Sequence, residues 1–472
     1  MRSIVWFRGK DLRLGDHGPL QEALSGGEVI PLFVLDPVFF TPEGAQKLPH
    51  RIQFLLESLA ALEAGITKRG SRLLLVAGRS VDLVPELASR WQVDQVLAHR
   101  WSEPFGVERD RRIALELGKS GIPFRLFEGE TLAPPGTVRT GTGEMFRVFT
   151  PFARAFQRQV HPGVPLPVPR ELPPLPELEL WASGMPGLTE LGIQPNPKLP
   201  KGGEGAARAR LDRFLEDGLE GYRSTRNLMA EEGTSRLSCD LHFGTLSVRS
   251  LWHGVSGVAE RCPEDAQCFL NELLWRDFAH HLLALKPELL ARPFRSEFET
   301  FPWRTDVPGW EAWTQGLTGF PVVDAAARQL RAEGFIHNRA RMVAACFLTK
   351  HLLQDYRQGE AHYLKWLVDG DWANNNLGWQ WSAGCGVDAQ PWFRVFNPVA
   401  QGEKFDPKGI YVKRWLPELA EIDPKWVHRP WEAPDKKRGI RDYPGPILDL
   451  GVARARFLAT ASQHLKRAPI DR

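Results

Sequence analysis

Two hydrophobic periods divide this 472-residue chain, and the change between them limits its architecture. In the N-terminal third, short apolar runs recur at 3–7, 29–35, 72–77, 95–98 and 124–127. Amphipathic stretches at 51–68, 81–91 and 107–119 lie between them. Strands alternating with helices predict βαβ units and a parallel sheet, whose ligands bind beyond the carboxyl ends of the strands. From about Gly205 the apolar residues recur at spacings of three and four, at 206–219, 263–285, 322–333, 338–356 and 360–368. That is a helical pattern, with Gly334, Gly359 and Gly370 at the expected helix ends. Between the two regions, residues 162–200 carry 11 of the 38 prolines, too many for a helix or a central strand. The expected fold is an α/β, doubly wound parallel-sheet domain (1–130), a long Pro-rich linker (131–204) and a large all-α domain (205–472).

Composition narrows the class. No stretch approaches the ~18–20 apolar residues of a membrane span. The start, Met1-Arg2-Ser3-Ile4-Val5-Trp6, lacks the features of a secretory signal, so a cytoplasmic protein is expected. Five cysteines with no CxxC pair argue against a disulfide framework, a structural metal site or a cysteine-held cluster. A net charge of +3 requires any nucleic-acid binding to use a local basic patch. Neither GxGxxG after a strand nor GxxxxGK occurs, so an ordinary dinucleotide or P-loop site is unsupported. Tryptophan is abundant, 17 residues against 5 tyrosines, with 13 of them between Trp252 and Trp431. Indoles pack helical cores, and they also stack on rings and carry electrons.

Four segments of the helical half hold more polar chemistry than packing requires. Glu272, Trp275 and Arg276 stand at i, i+3 and i+4, so one helix face presents a carboxylate, an indole and a guanidinium. Their simplest use is an intrahelical ion pair. Asn338, Arg341 and Met342 share a second face, where methionine is commonly a core filler. Acids, amides and indoles crowd residues 369–381, a composition that suits a wrapped polar ligand better than a core. Tyr222 to Arg226 precede Thr234-Ser235-Arg236-Leu237-Ser238, hydroxyls opening a helical stretch, which suit either a phosphate or an N-cap.

Taken together, these motifs resemble the photolyase/cryptochrome flavoproteins, and among them the bacterial class I cyclobutane pyrimidine dimer photolyases. The resemblance runs from Trp6-Phe7-Arg8 and Asp11-Leu12-Arg13 through Thr234–Ser238, Glu272–Arg276 and 369–381. It continues through Phe393-Arg394 and Asn397-Pro398 to Phe405-Asp406 and Trp415-Leu416-Pro417-Glu418. It implies that the helical domain binds FAD. Tyr222, Thr234, Ser235, Arg236, Leu237 and Ser238 fall at its pyrophosphate-side contacts, and Phe269 and Arg276 in the same cavity. Arg341 and Asp369 fall at an ion pair beside the isoalloxazine, Asp371 near its polar edge and Asn375 opposite N5. The catalytic residues implied are Glu272 and Asn338 as hydrogen-bond partners of the dimer, Trp275 and Trp381 as an aromatic wedge, and Met342 against the fused ring. The implied reaction is light-driven splitting of a flipped-out dimer by electron transfer from FADH⁻. The implied partner is dimer-containing DNA, bound by a monomer with no membrane association. Arg226, Arg339 and Arg394 are the candidate phosphate contacts.

One position departs from the family pattern. The electron-transfer positions read Trp379, Tyr356 and Trp303, with a phenol where the family commonly has the middle indole. A phenol resists oxidation unless its proton leaves, so slow photoreduction is expected, or a detour through an indole such as Trp366 or Trp372. For a second, antenna chromophore, Trp101-Ser102-Glu103-Pro104-Phe105 with Leu35-Asp36-Pro37 resembles the deazaflavin-binding branch. That favours 8-hydroxy-5-deazaflavin over FMN, folate or no antenna, with Arg51 and Glu103 as contacts. The alternative readings are a cryptochrome photoreceptor and, after it, a (6-4) photolyase, which places histidines where this chain has Asn338 and Met342.

Overall fold

In the computed structural model, which describes residues 1–179, 183–434 and 442–465, each central strand sends alternate side chains into two different cores. Strand β1 (Arg2–Phe7) puts Val5 and Phe7 on one face and Ile4 and Trp6 on the other. Strand β2 (Glu28–Leu35) does the same with Phe33 and Leu35 against Ile30, Leu32 and Val34. With β3 (Leu74–Ala77), β4 (Gln95–His99) and β5 (Phe124–Phe127) they form a sheet of order β3-β2-β1-β4-β5, every pairing parallel. Helix Pro49–Thr67 covers the first face through Ile52, Phe54, Leu59, Leu62 and Ile66. Helices Ser80–Arg90 and Pro104–Lys119 cover the second through Val84, Leu87, Ile113 and Leu117. Burial on both faces explains why the strands read as continuous apolar runs.

The chain forms two compact units. The first comprises Met1–Glu220, Ser235–Pro287 and Val368–Ala373; the second comprises Gly221–Thr234, Glu288–Leu367 and the chain from Asn374 onward. In the first unit the Pro-rich stretch is laid along the sheet domain. The amide of Leu166 donates to Asp16 and that of Leu172 to the Arg69 carbonyl, and Leu172, Leu191 and Ile193 are buried in the sheet core. The expected linker also contains a helix, α1 (Phe149–Gln159), whose Phe152 packs on Phe278 of helix α2 (Pro263–Leu285) with ring centroids 5.0 Å apart. The buried carboxylate of Asp277 on α2 accepts the amides of Leu132 and Ala133, fixing the chain that leads to α1.

In the second unit, the single helix expected over 338–356 is broken. Helix α3 (Asn338–Cys346) passes into a wider turn at Phe347–His351, and Leu353 adopts a left-handed conformation at φ 59°. Asp355 then caps helix α4 (Tyr356–Trp366) by accepting the amide of Arg357. Gly334 ends its helix in the left-handed conformation, as expected. Gly359 does not end one. It lies inside α4, and it is glycine there because the indole of Trp379, on helix α5 (Trp372–Ala383), occupies the space where a side chain would go. No helix among the described residues is long and apolar enough to cross a membrane.

Candidate functional site

A cavity opens at the carboxyl ends of β1, β2 and β4, where the strand order changes direction. Arg8, Lys10, Asp36, Trp101, Glu103 and Arg51 line it, so both expected antenna contacts face it. The guanidinium of Arg109 lies 4.4 Å from the Trp101 ring centroid and 4.9 Å from that of Trp6. That of Arg8 lies 5.0 Å from Trp6 and is held by both oxygens of Asp110 at 2.8 and 2.9 Å. Stacked cations beside indoles make a wall suited to a flat, electron-rich or anionic ring.

One side of this cavity is built by the segment that the sequence assigns to the flavin. Trp372 lines it, and Arg51 donates from Nη1 to the Gly370 carbonyl at 3.1 Å. Beneath it Lys10 is paired with Glu130 and, at 2.7 and 3.8 Å, with Glu103 and Asp371. Burial opposes the charge on Lys10, yet the three acids raise its pKa above the usual range. Burial also works against ionisation of the acids. Lys10 and His280 nevertheless pull Glu130 down to about 2, and His280 with Lys10 holds Asp371 well below the carboxylate range. Burial dominates at Glu103, whose pKa is raised. Asp371 is therefore a buried ionic anchor of its loop. Sequence reasoning missed Lys10 and His280, because no local pattern marks residues that meet across the whole fold.

Helix α2 carries the expected Glu272, Trp275 and Arg276, all half-buried. Arg276 spends one Nη1 hydrogen bond, 2.6 Å long, on the Glu130 carbonyl. Phe269 is buried against Phe214 at a centroid distance of 4.7 Å. Trp275 stacks on Phe149 of α1, 3.8 Å between centroids and 8° between planes. Among the phosphate-side candidates, Ser235 Oγ accepts the amide of Leu237, and Arg236 adopts φ 55°, ahead of helix Ser238–Phe243. This is a turn of hydroxyl and cationic donors, the composition a pyrophosphate needs.

The second unit supplies the other candidates. Tyr222 is buried, and the Arg226 guanidinium lies 5.5 Å from its ring. His337 caps α3 through Nδ1, which sets Asn338 on the first turn, exposed and 4.0 Å from Met342 Sδ. Arg341 donates to the Ile336 carbonyl. Arg339 donates to Asn227 and lies 4.3 Å over Phe405, so part of this expected phosphate contact is already engaged. Arg394 is exposed. Its carbonyl and that of Trp392 accept from Lys350, a fully buried lysine that burial pushes down to about 8. Asn375 donates one N–H of Nδ2 to the Glu360 carbonyl at 3.0 Å, which sets the orientation of its amide and leaves Oδ1 as an acceptor beside the second N–H. Its neighbour Asn376 is wholly structural, donating to Leu289 and Glu360.

Tyr356 is buried, and its hydroxyl has no hydrogen-bond partner. Burial pushes this phenol far above its ordinary range, and its hydroxyl has no hydrogen-bonded base to take its proton on oxidation. The rings that meet Trp379 are Tyr363 at 4.9 Å and Trp313 at 6.1 Å, and Trp313 stacks on the half-buried Trp310 at 5.6 Å. Trp366 lies under the Arg331 guanidinium at 4.0 Å, a cation that opposes loss of an electron from the ring. Trp303 packs on Phe301, 4.4 Å between centroids.

Residues 3–174 match the model of the DNA photolyase domain, and residues 269–463 match that of the FAD binding domain of DNA photolyase. A deoxyribodipyrimidine photo-lyase of Agrobacterium fabrum is 39% identical over 469 residues, covering 97% of this chain and 96% of that protein. The crystal structure of a bacterial class III photolyase from Agrobacterium tumefaciens superposes with a TM-score of 0.91 at 39% identity, covering 98% of both chains. A Synechocystis cryptochrome structure gives 0.88 at 31% identity, covering 97% of this chain and 99% of that one. Fold and matched domains define an FAD-binding flavoprotein with an appended parallel-sheet domain. The chain belongs to the DNA photolyase family.

Proposed function

We propose that this protein splits cyclobutane pyrimidine dimers in DNA under light, acting as a cytoplasmic monomer. The observation that carries the reading is the amide of Asn375. With one N–H of Nδ2 given to the Glu360 carbonyl, this amide is oriented and keeps Oδ1 as a neutral acceptor suited to the N–H of a reduced flavin ring, and it imposes no charge. FAD, when bound, supplies a light-driven electron that the dimer borrows and returns, so there is no net oxidation. Tyr222, Thr234, Ser235, Arg236, Leu237, Ser238, Phe269, Arg276, Arg341 and Asp369 hold the cofactor, and Asp371 anchors the loop that carries Asp369.

The remaining residues position the substrate. Trp275 and Trp381 give the flipped-out dimer two indole surfaces, Glu272 and Asn338 hydrogen-bond its polar edges, and Met342 packs against its fused ring. Arg226, Arg339 and Arg394 meet the flanking phosphates. The cavity at the strand ends takes a second chromophore. Its guanidinium–indole wall suits a flat anionic ring, and the resemblance carried by 101–105 and 35–37 favours 8-hydroxy-5-deazaflavin over FMN or folate. The test uses reduced, FAD-loaded protein and an oligonucleotide with one thymine dimer. Blue light should restore thymine absorbance at 260 nm. A photoreceptor without repair activity would leave the absorbance unchanged.

A further inference from the structure

Phe149 lies outside every motif that the function uses, yet it makes the closest aromatic contact of the α2 face. It is the first residue of α1, following Val148 in extended conformation. Its ring lies parallel to Trp275 at 3.8 Å, and Phe278 meets both rings edge-on, at 6.1 Å from Phe149 and 5.9 Å from Trp275. Phe278 is itself buried and backed by Phe152. The helix carrying Phe149 therefore cannot slide without breaking this cluster.

The indole of Trp275 is thus covered on one face by Phe149 and met from the side by Phe278. This leaves a single face and a single orientation for a base to pack against. A free tryptophan would have to give up rotamer freedom on binding, and here that ordering is done in advance. We propose that Phe149 is a positioning residue for dimer recognition, acting through Trp275. The proposal rests on the reading that Trp275 packs against the dimer, and it makes helix α1, which falls within the expected linker, part of the recognition machinery.

The experiment compares Phe149→Leu, Phe149→Met and Phe149→Tyr with the unsubstituted protein. Dissociation constants are measured for dimer-containing and undamaged DNA of the same sequence, with KM and yield of repair by the reduced enzyme. Loss of the stack in F149L should weaken dimer binding ~3–10-fold, with KM rising in step. Undamaged-DNA affinity, saturating repair yield and flavin content should hold, F149M should behave like F149L, and F149Y should restore affinity. In a Trp275→Leu background, F149L should cause no further loss. Unchanged dimer affinity in F149L, equal loss for both DNAs, or additive losses with W275L would overturn the proposal. Failure of both F149L and F149M to fold would do the same, by making Phe149 a packing residue. Undiminished dimer affinity in W275L alone would instead refute the reading of Trp275.

Discussion

The indole of Trp379 fills the space that a Cβ on Gly359 would need. Glycine inside a helix ordinarily weakens it, so an alanine there usually stabilises by ~1 kcal/mol. The sign should reverse at this position. Gly359→Ala forces a buried indole out of its packing, at a cost of about 1–3 kcal/mol in urea unfolding. The displaced ring is also the one nearest the flavin in the expected electron route, so photoreduction should slow in the same variant.

Tyr356 should be dispensable for that route. Its buried hydroxyl has no partner, so Tyr356→Phe removes an unsatisfied polar group and should leave stability equal or slightly higher. The Trp379–Trp313–Trp310 ladder offers adjacent indoles instead. Under blue light with an external reductant, Y356F should photoreduce at the unsubstituted rate and Trp313→Phe on the order of tenfold more slowly, one decade being ~1.4 kcal/mol of barrier. Repair by already reduced enzyme should be the same in both. Slowing in Y356F alone would restore the phenol to the route.

Stability should depend on Glu360 between about pH 5 and 7. Burial raises this carboxyl to about 7, so the folded protein holds a proton there that the unfolded chain, with an ordinary carboxyl, releases. Folding stability therefore falls as pH rises through this window. Asp277 and Asp324, each raised to about 6 by burial, act in the same direction, and His281 and His362, lowered to about 4, act in the opposite one. Comparison with Glu360→Gln isolates one contribution. The variant should gain up to ~3 kcal/mol relative to the unsubstituted protein between pH 5 and 8. A constant difference across that range would contradict the assignment.

Lys10→Met should be severe. It leaves Glu103, Glu130 and Asp371 buried without their shared ammonium, a change of about 3–5 kcal/mol for a broken buried pair. Purified variant should also retain less FAD, because Asp371 loses a tether. Full flavin content with unaltered urea stability would show that the cluster is not an anchor.

Much of this was legible in the order of residues. The two-face burial of β1 and β2 follows from their unbroken apolar runs, and the motif residues of α2, α3 and 369–381 stand out as polar chemistry where a core is expected. Three features were not legible. Gly359 reads as a helix stop because its reason for being glycine is Trp379, twenty positions on in another helix. Leu353 and Asp355 break a periodic apolar pattern by backbone geometry, which hydrophobic spacing does not encode. Lys10 and Phe149 owe their roles to partners brought near only by folding, Asp371 and Trp275. Local pattern finds faces; it does not find what a face meets.

Phosphate contact and base recognition should separate with salt. Arg394→Ala should weaken damaged and undamaged DNA alike and flatten the salt dependence by about one phosphate, whereas Trp381→Leu should weaken only the damaged DNA. Equal effects of both variants on both DNAs would contradict the assignment of roles.

The most direct measurement is product analysis after illumination. Reduced, FAD-containing protein is incubated with dimer-containing DNA in darkness and under blue light, and thymine and dimer are quantified by chromatography after hydrolysis. Dimer should be converted to thymine only in the light, over repeated turnovers and with no consumption of reductant. Unchanged dimer in the light, from protein whose flavin is bound and reduced, would contradict it.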